Sequence, residues 1–142
     1  MAALGQATTG GGNFASNICD LVFRSTNSTN WTQPPSLWVG LCTASPSATA
    51  TGEVAIAGNY NRVQITWGTA SNGSASGPSA SCVWTSASAR WGDVKGYIIC
   101  AASTGSTGAS QYIAFGNLNP SVAVTTNDTV SFAASAMTMT FA

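Results

Sequence analysis

The chain has 142 residues, of which only 6% are charged; four cations balance four carboxylates, and there is no histidine. Four scattered cations cannot form the basic stripe that neutralises nucleic-acid phosphates. No apolar run approaches the roughly 18 residues of a membrane span, and without histidine the chain lacks the usual general base and the commonest metal ligand.

The length fits one domain. Residues 1–12 are small and polar and end in Gly10-Gly11-Gly12, a composition that cannot build a core. They are expected to form a flexible N-terminal arm, either a disordered tail or one that orders on a neighbouring subunit. Asn13 is placed as an N-cap, and Phe14, Ile18, Leu21 and Val22 then fall on one stripe of a short helix. About ten residues of helix are marginal alone, so this one must lie on a sheet or on a partner. Residues 27–36 read as a loop that carries Trp31 and closes with Pro34-Pro35, which feeds an extended segment.

Leu37–Cys42 is a strand, with Leu37, Val39 and Leu41 on one face and Trp38 and Cys42 on the other. A low-complexity loop follows, and Val54 and Ile56 suggest a short edge strand. Tyr60–Trp67 alternates again, placing Val63, Ile65 and Trp67 on one face directed to the core. Residues 68–80 are turn formers throughout and predict a loop. Ser81–Thr85 is a short strand, Trp91-Gly92-Asp93 a turn, and Val94–Ala101 the most β-branched run of the chain. After a Gly/Ser/Thr loop come Gln111–Gly116, then Val122–Thr125 and Thr129–Ala133 around Asn127-Asp128, a hairpin-type turn. Met137, Met139 and Phe141 alternate with Thr138 and Thr140. The pattern predicts an all-β chain: a β-sandwich or jelly-roll-like domain over 13–142, of about eight short antiparallel strands with one short N-terminal helix.

The chain carries no recognisable pattern of catalytic or metal-ligating residues, and no enzyme, cofactor or metal site is expected. Asp20 lies on the helix, Glu53 in a loop, and Asp93 and Asp128 in turns, with no sign of the facing pair that glycosidase-type catalysis needs. Cys19, Cys42, Cys82 and Cys100 are widely spaced, without zinc spacing. The N-terminus lacks a secretory signal, so synthesis in the host cytoplasm and reduced, mostly buried thiols are expected. Trp31, in its polar loop, is the best tryptophan for an interface or sugar contact. Arg62 and Glu53 could pair. Burial would make such a pair costly to break, whereas exposure would leave it nearly neutral, and the sequence does not choose. Trp31, Phe14, Arg62 and Glu53 are the candidate subunit-interface residues.

Several short motifs recur in a recognisable order: the segment Phe14–Phe23, Pro34-Pro35, Leu37-Trp38-Val39-Gly40-Leu41, Thr43 and Pro46, Glu53-Val54 and Tyr60-Asn61-Arg62-Val63. Trp91-Gly92-Asp93-Val94, Ala114-Phe115-Gly116-Asn117-Leu118 and Asp128-Thr129-Val130-Ser131-Phe132 complete it. Over residues 13–142 this order resembles small bacteriophage virion structural proteins of the tail-fibre and capsid-decoration type. The resemblance implies a virion protein without catalytic residues. Compactness, scarce charge and the absence of heptads or fibre repeats direct the expectation first to a capsid cement (decoration) protein. That protein would sit on the outer capsid surface, with the major capsid protein and copies of itself as partners, as a homotrimer by analogy with other decoration proteins. The alternative is a tail or tail-fibre component that meets the host surface, with a surface glycan as ligand.

Overall fold

In the computed structural model, residues 3–4, 36–47, 52–55, 58–72, 74–85, 88–104 and 112–140 are described. The helix expected near Phe14–Phe23 lies outside these residues. Among them are nine strands: β1 (Ala3–Leu4), β2 (Leu37–Cys42), β3 (Val63–Ile65), β4 (Ser74–Gly77), β5 (Cys82–Trp84), β6 (Gly92–Cys100), β7 (Tyr112–Val124), β8 (Val130–Phe132) and β9 (Met137–Thr140). A five-stranded sheet runs β1-β7-β6-β2-β3, and two ribbons pair β4 with β9 and β5 with β8. Every pairing is antiparallel. The architecture is all-β and sandwich-like, built from open sheets.

The alternation read in β2 decides which side of the large sheet is which. Val39 and Leu41 enter the main core with Ile65, Ile99, Ala114 and Val124, and the ribbons supply Cys82, Trp84, Val130 and Met137 from across it. On the opposite face Cys42, Ile98 and Cys100 form a second cluster, with Trp38 and Phe115 packed on it. Both faces of the central strands are therefore apolar, as the continuous run at 97–100 implies. Aromatic edges tie the layers together: Phe132 of β8 meets Trp84 at 5.7 Å and Tyr97 at 5.6 Å, both T-shaped. Buried indoles find acceptors, Trp84 Nε1 donating to the Asn61 carbonyl and Trp91 Nε1 to that of Gly58.

Four differences from the sequence expectation have physical causes. First, Gln111–Gly116 and Val122–Thr125, expected as two strands, belong to the single strand β7. Its residues 118–121 bulge opposite Lys95 alone, between the Gly96↔Asn117 and Val94↔Val122 pairs. The bulge accommodates Pro120, which lacks a ladder donor, and it lets both Val94 and Tyr97 reach the main core. Second, Gly92 and Asp93, expected in a turn, already belong to β6. Third, Asn127-Asp128 does turn the chain, with Asn127 at φ 73°, but no hairpin results. The flanking strands diverge, β7 onto β6 and β8 onto β5.

The fourth difference is β4, inside the stretch expected to be loop. Ser74–Gly77 has no β-branched residue and forms a strand because β9 supplies its ladder, from Ser74↔Thr140 to Gly77↔Met137. The Trp67 ring packs on this ribbon, and a Cβ on Gly77 would run into its ring atoms. Gly77→Ala is therefore expected to destabilise the protein by about 1–3 kcal/mol, the usual cost of overpacking. A shift in the urea midpoint with loss of the Trp67 near-ultraviolet signal would register it; a Gly77→Ala variant as stable as the parent would contradict this packing.

Candidate functional site

The most developed polar constellation grows from three irregular segments that continue the β2 edge where β3 stops. Thr43 N–H donates to the Gly52 carbonyl and Val54 N–H to that of Leu41, so residues 52–54 shadow the end of β2. This places Glu53 opposite Cys42. Arg62, just before β3, then faces it. Arg62 Nε donates to Glu53 Oε1 at 2.8 Å and Nη2 to Oε2 at 2.7 Å, a two-pronged ion pair. Both side chains are only 2% exposed.

Every remaining arm of the pair is used. Arg62 Nη1 donates to the Ala102 carbonyl at 2.8 Å, fixing the chain just past β6. Tyr60 Oη donates to Glu53 Oε1 at 3.0 Å and accepts from Leu41 N–H at 2.7 Å. The hydrogen bonds it donates to Glu53 hold the Arg62 guanidinium charged well beyond its ordinary range, against the opposing effect of burial. Burial, reinforced by the neighbouring Glu53 carboxylate, pushes the Tyr60 phenol up. The room for this carboxylate comes from Gly40, where a Cβ would lie 2.5 Å from Glu53 Oε1. Among the described residues no buried side-chain nitrogen or oxygen lacks a partner. The closed network ties together the segment around Glu53, residues 60–62 and the chain just past β6.

Arg62 and Glu53, expected among the interface candidates, are thus placed inside the chain and present almost no surface to a neighbour. Trp31 and Phe14 lie outside the described residues. Cys42, Cys82 and Cys100 are buried and unbridged; Cys19 lies outside the described residues. Among the described residues no group of three or more His, Cys, Asp or Glu side chains could hold a metal ion.

The outer surface has a different character. Arg90, Asp93, Lys95 and Asp128 are the exposed charges among the described residues, and no described aromatic side chain is exposed. Val83 and Val122, 44% and 45% exposed, are the large apolar side chains reaching solvent there. Asp128 is spent on its own turn: its Oδ2 accepts from Thr125 N–H at 2.7 Å and from Thr125 Oγ1 at 2.8 Å. The backbone hydrogen bond, then the hydroxyl, holds the carboxyl below the ordinary aspartate range. A carbon-detected NMR titration is expected to show Asp128 protonating below the ordinary aspartate range. Thr125→Val is expected to raise the Asp128 midpoint; an unchanged midpoint would deny the contact.

The sequence model of the podophage GP4 fiber I protein gp80 family matches residues 12–140. The chain belongs to that family. No curated protein matches it. Membership of the gp80 family agrees with the resemblance drawn from motif order, which spans nearly the same residues. The all-β fold described above therefore extends over most of the gp80 match, and the Glu53–Arg62–Tyr60 network sits within it. The sequence singled out Glu53 and Arg62 but gave no sign that Tyr60 and Gly40 complete their setting.

Proposed function

We infer that this chain is a non-catalytic structural subunit of a podophage tail fibre, held in the virion by packing against other protein subunits. The family match over residues 12–140 carries this reading. It reverses the order of the two virion roles expected from sequence, since the family's name favours a fibre over a capsid cement. The surface supports a packing role: few charges, no exposed aromatic among the described residues, and side chains chiefly of Ser, Thr, Asn, Ala and Gly. Contacts made by such a surface rest on shape and neutral hydrogen bonds and are insensitive to salt. A homotrimer fits a fibre and a shell alike. A small hydrolase working through Asp93 or Asp128 is disfavoured because Asp128 is engaged by Thr125 in its own turn. A hydroxyl- and amide-rich surface also suits a host glycan, which keeps adsorption within the fibre reading.

The cement role keeps one support: the chain has no heptads or fibre repeats. Copy number separates the two. Quantitative mass spectrometry of purified virions should find a small multiple of three or six copies for a fibre subunit. Hundreds of copies, near one per major capsid protein, would overturn the fibre reading and place the chain on the head.

A further inference from the structure

The β1 strand belongs to the stretch expected to be a free arm, yet it is seated on the sheet. Ala3 pairs with Phe115 and Leu4 with Ala114, antiparallel, at the outer edge of β7. β7 is its principal neighbour. The strand has only two residues, whereas β7 has 13. Past the paired residues, Asn117, Asn119, Pro120, Ser121, Val122 and Ala123 are exposed. The edge of β7 is thus a seat for an N-terminal strand, and nothing in a two-residue ladder requires the strand to come from the same chain.

We propose that β1 is exchanged between copies, the N-terminal strand of one subunit pairing with β7 of the next. The ladder is chemically identical whichever copy supplies the strand, so the choice rests on local concentration. The segment 5–36 that joins β1 to β2 reaches on the order of 100 Å when fully extended. A domain of this length is only roughly 35–40 Å across, so the reach covers a neighbour. Within an assembly a neighbouring arm is present at effective concentrations near the millimolar range, similar to what a long tether gives its own domain. Exchange adds a link between subunits while keeping the same stretch of the β7 edge covered. Donation from each copy to the next is head-to-tail: it closes into a ring such as a trimer or propagates along a filament. Scarce surface charge leaves no long-range repulsion between copies to oppose it. The exchange does not depend on whether the assembly is a fibre or a shell.

The test mixes two full-length variants, Ala3→Cys and Phe115→Cys, carrying tags of different mass, and oxidises the assembled protein with diamide. A disulfide that joins the two differently tagged chains, and that peptide mass spectrometry maps to the two substituted positions rather than to a native cysteine, forms only if β1 crosses from one copy to another. The expected result is that covalent heterodimer, abolished by reduction. The double variant Ala3→Cys/Phe115→Cys should then give covalent chains longer than one subunit. A double variant that links only within one chain, with uncrosslinked single variants, would overturn the exchange. Absence of any disulfide would overturn the β1–β7 seat itself. Because Phe115 packs on the second-face cluster, the pair Leu4→Cys and Ala114→Cys repeats the test at the adjacent register position. The readout is made on purified protein, so a head location in the virion count would leave it standing.

Discussion

Arg62→Met is expected to destabilise the protein by about 3–5 kcal/mol, the cost of leaving one member of a buried ion pair without its partner. For a chain of this length that is a fall in Tm on the order of 10 °C. The substitution keeps most of the side-chain volume, so the loss isolates the charge. Glu53 would retain the Tyr60 hydroxyl as a donor at 3.0 Å but lose both guanidinium contacts. The Ala102 carbonyl would lose its donor as well. Glu53→Gln should cost less, because the amide still accepts one hydrogen bond from Arg62. The double variant Glu53→Leu/Arg62→Met should be milder than the sum of its parts, since neither charge is then left stranded. An exposed pair behaves differently, costing about 0–1 kcal/mol, with near-additive singles and marked salt dependence. Urea unfolding of the parent, these three variants and the Glu53→Leu single at two salt concentrations separates the cases; Arg62→Met within about 1 kcal/mol of the parent would mean the pair is not closed in solution.

Gly40→Ala is expected to act through the same network without touching a charge. Its Cβ would meet Glu53 Oε1 at 2.5 Å, Ile98 Cγ1 at 3.0 Å and the Tyr60 hydroxyl at 3.1 Å. The carboxylate cannot move aside without lengthening its bonds to Arg62. The added methyl therefore produces an electrostatic loss, and pairing it with Arg62→Met should show strong non-additivity.

What the sequence revealed and what it concealed divide along one physical line. Period-two alternation in Leu37–Cys42 named the two faces of β2 correctly, since each side chain declares its own environment. The β-branched run within β6 and the Met/Thr alternation of β9 were legible for the same reason. β4 was not, because Ser-Ala-Ser-Gly takes its conformation from the ladder of β9 and the ring of Trp67 rather than from its own residues. The continuity of β7 was hidden by Pro120, which reads locally as a break and is in fact absorbed by a bulge. Turn chemistry at Asn127-Asp128 was right, but a turn specifies reversal and not which strands then pair. At the candidate site the charged residues drew notice by rarity alone. Their burial depends on residues 52–54 closing over the end of β2, a non-local event that spacing does not encode.

The buried thiols give the second large effect, a loss of stability in alkali. Desolvation pushes Cys42 up from 9.0 to about 12, aided by the Glu53 carboxylate. Desolvation does the same to Cys100, again to about 12, with Arg62 opposing it. The unfolded chain would ionise both near their ordinary values, so the folded state holds extra protons between pH 9 and 12. The stabilising contribution is fully present below the unfolded pKa and is lost as the pH rises through that window. For one thiol the loss at the upper end of the window is on the order of 4 kcal/mol, and the two do not add, because part of the Cys42 shift comes from Cys100. Tyr60, raised in the same direction by burial, adds to the slope. Arg62 offsets part of this effect at Cys100 but not the burial that dominates it. The urea midpoint is therefore expected to be level from pH 7 to near 9 and to fall steeply toward pH 11. A Cys42→Ala/Cys100→Ala variant should start lower, from the cavities it leaves, but decline less steeply. At pH 8 an aromatic disulfide reagent should leave Cys42, Cys82 and Cys100 unmodified until urea unfolds the chain. A level midpoint through pH 11, together with rapid labelling of the folded protein, would mean that the second face of the sheet is open to water.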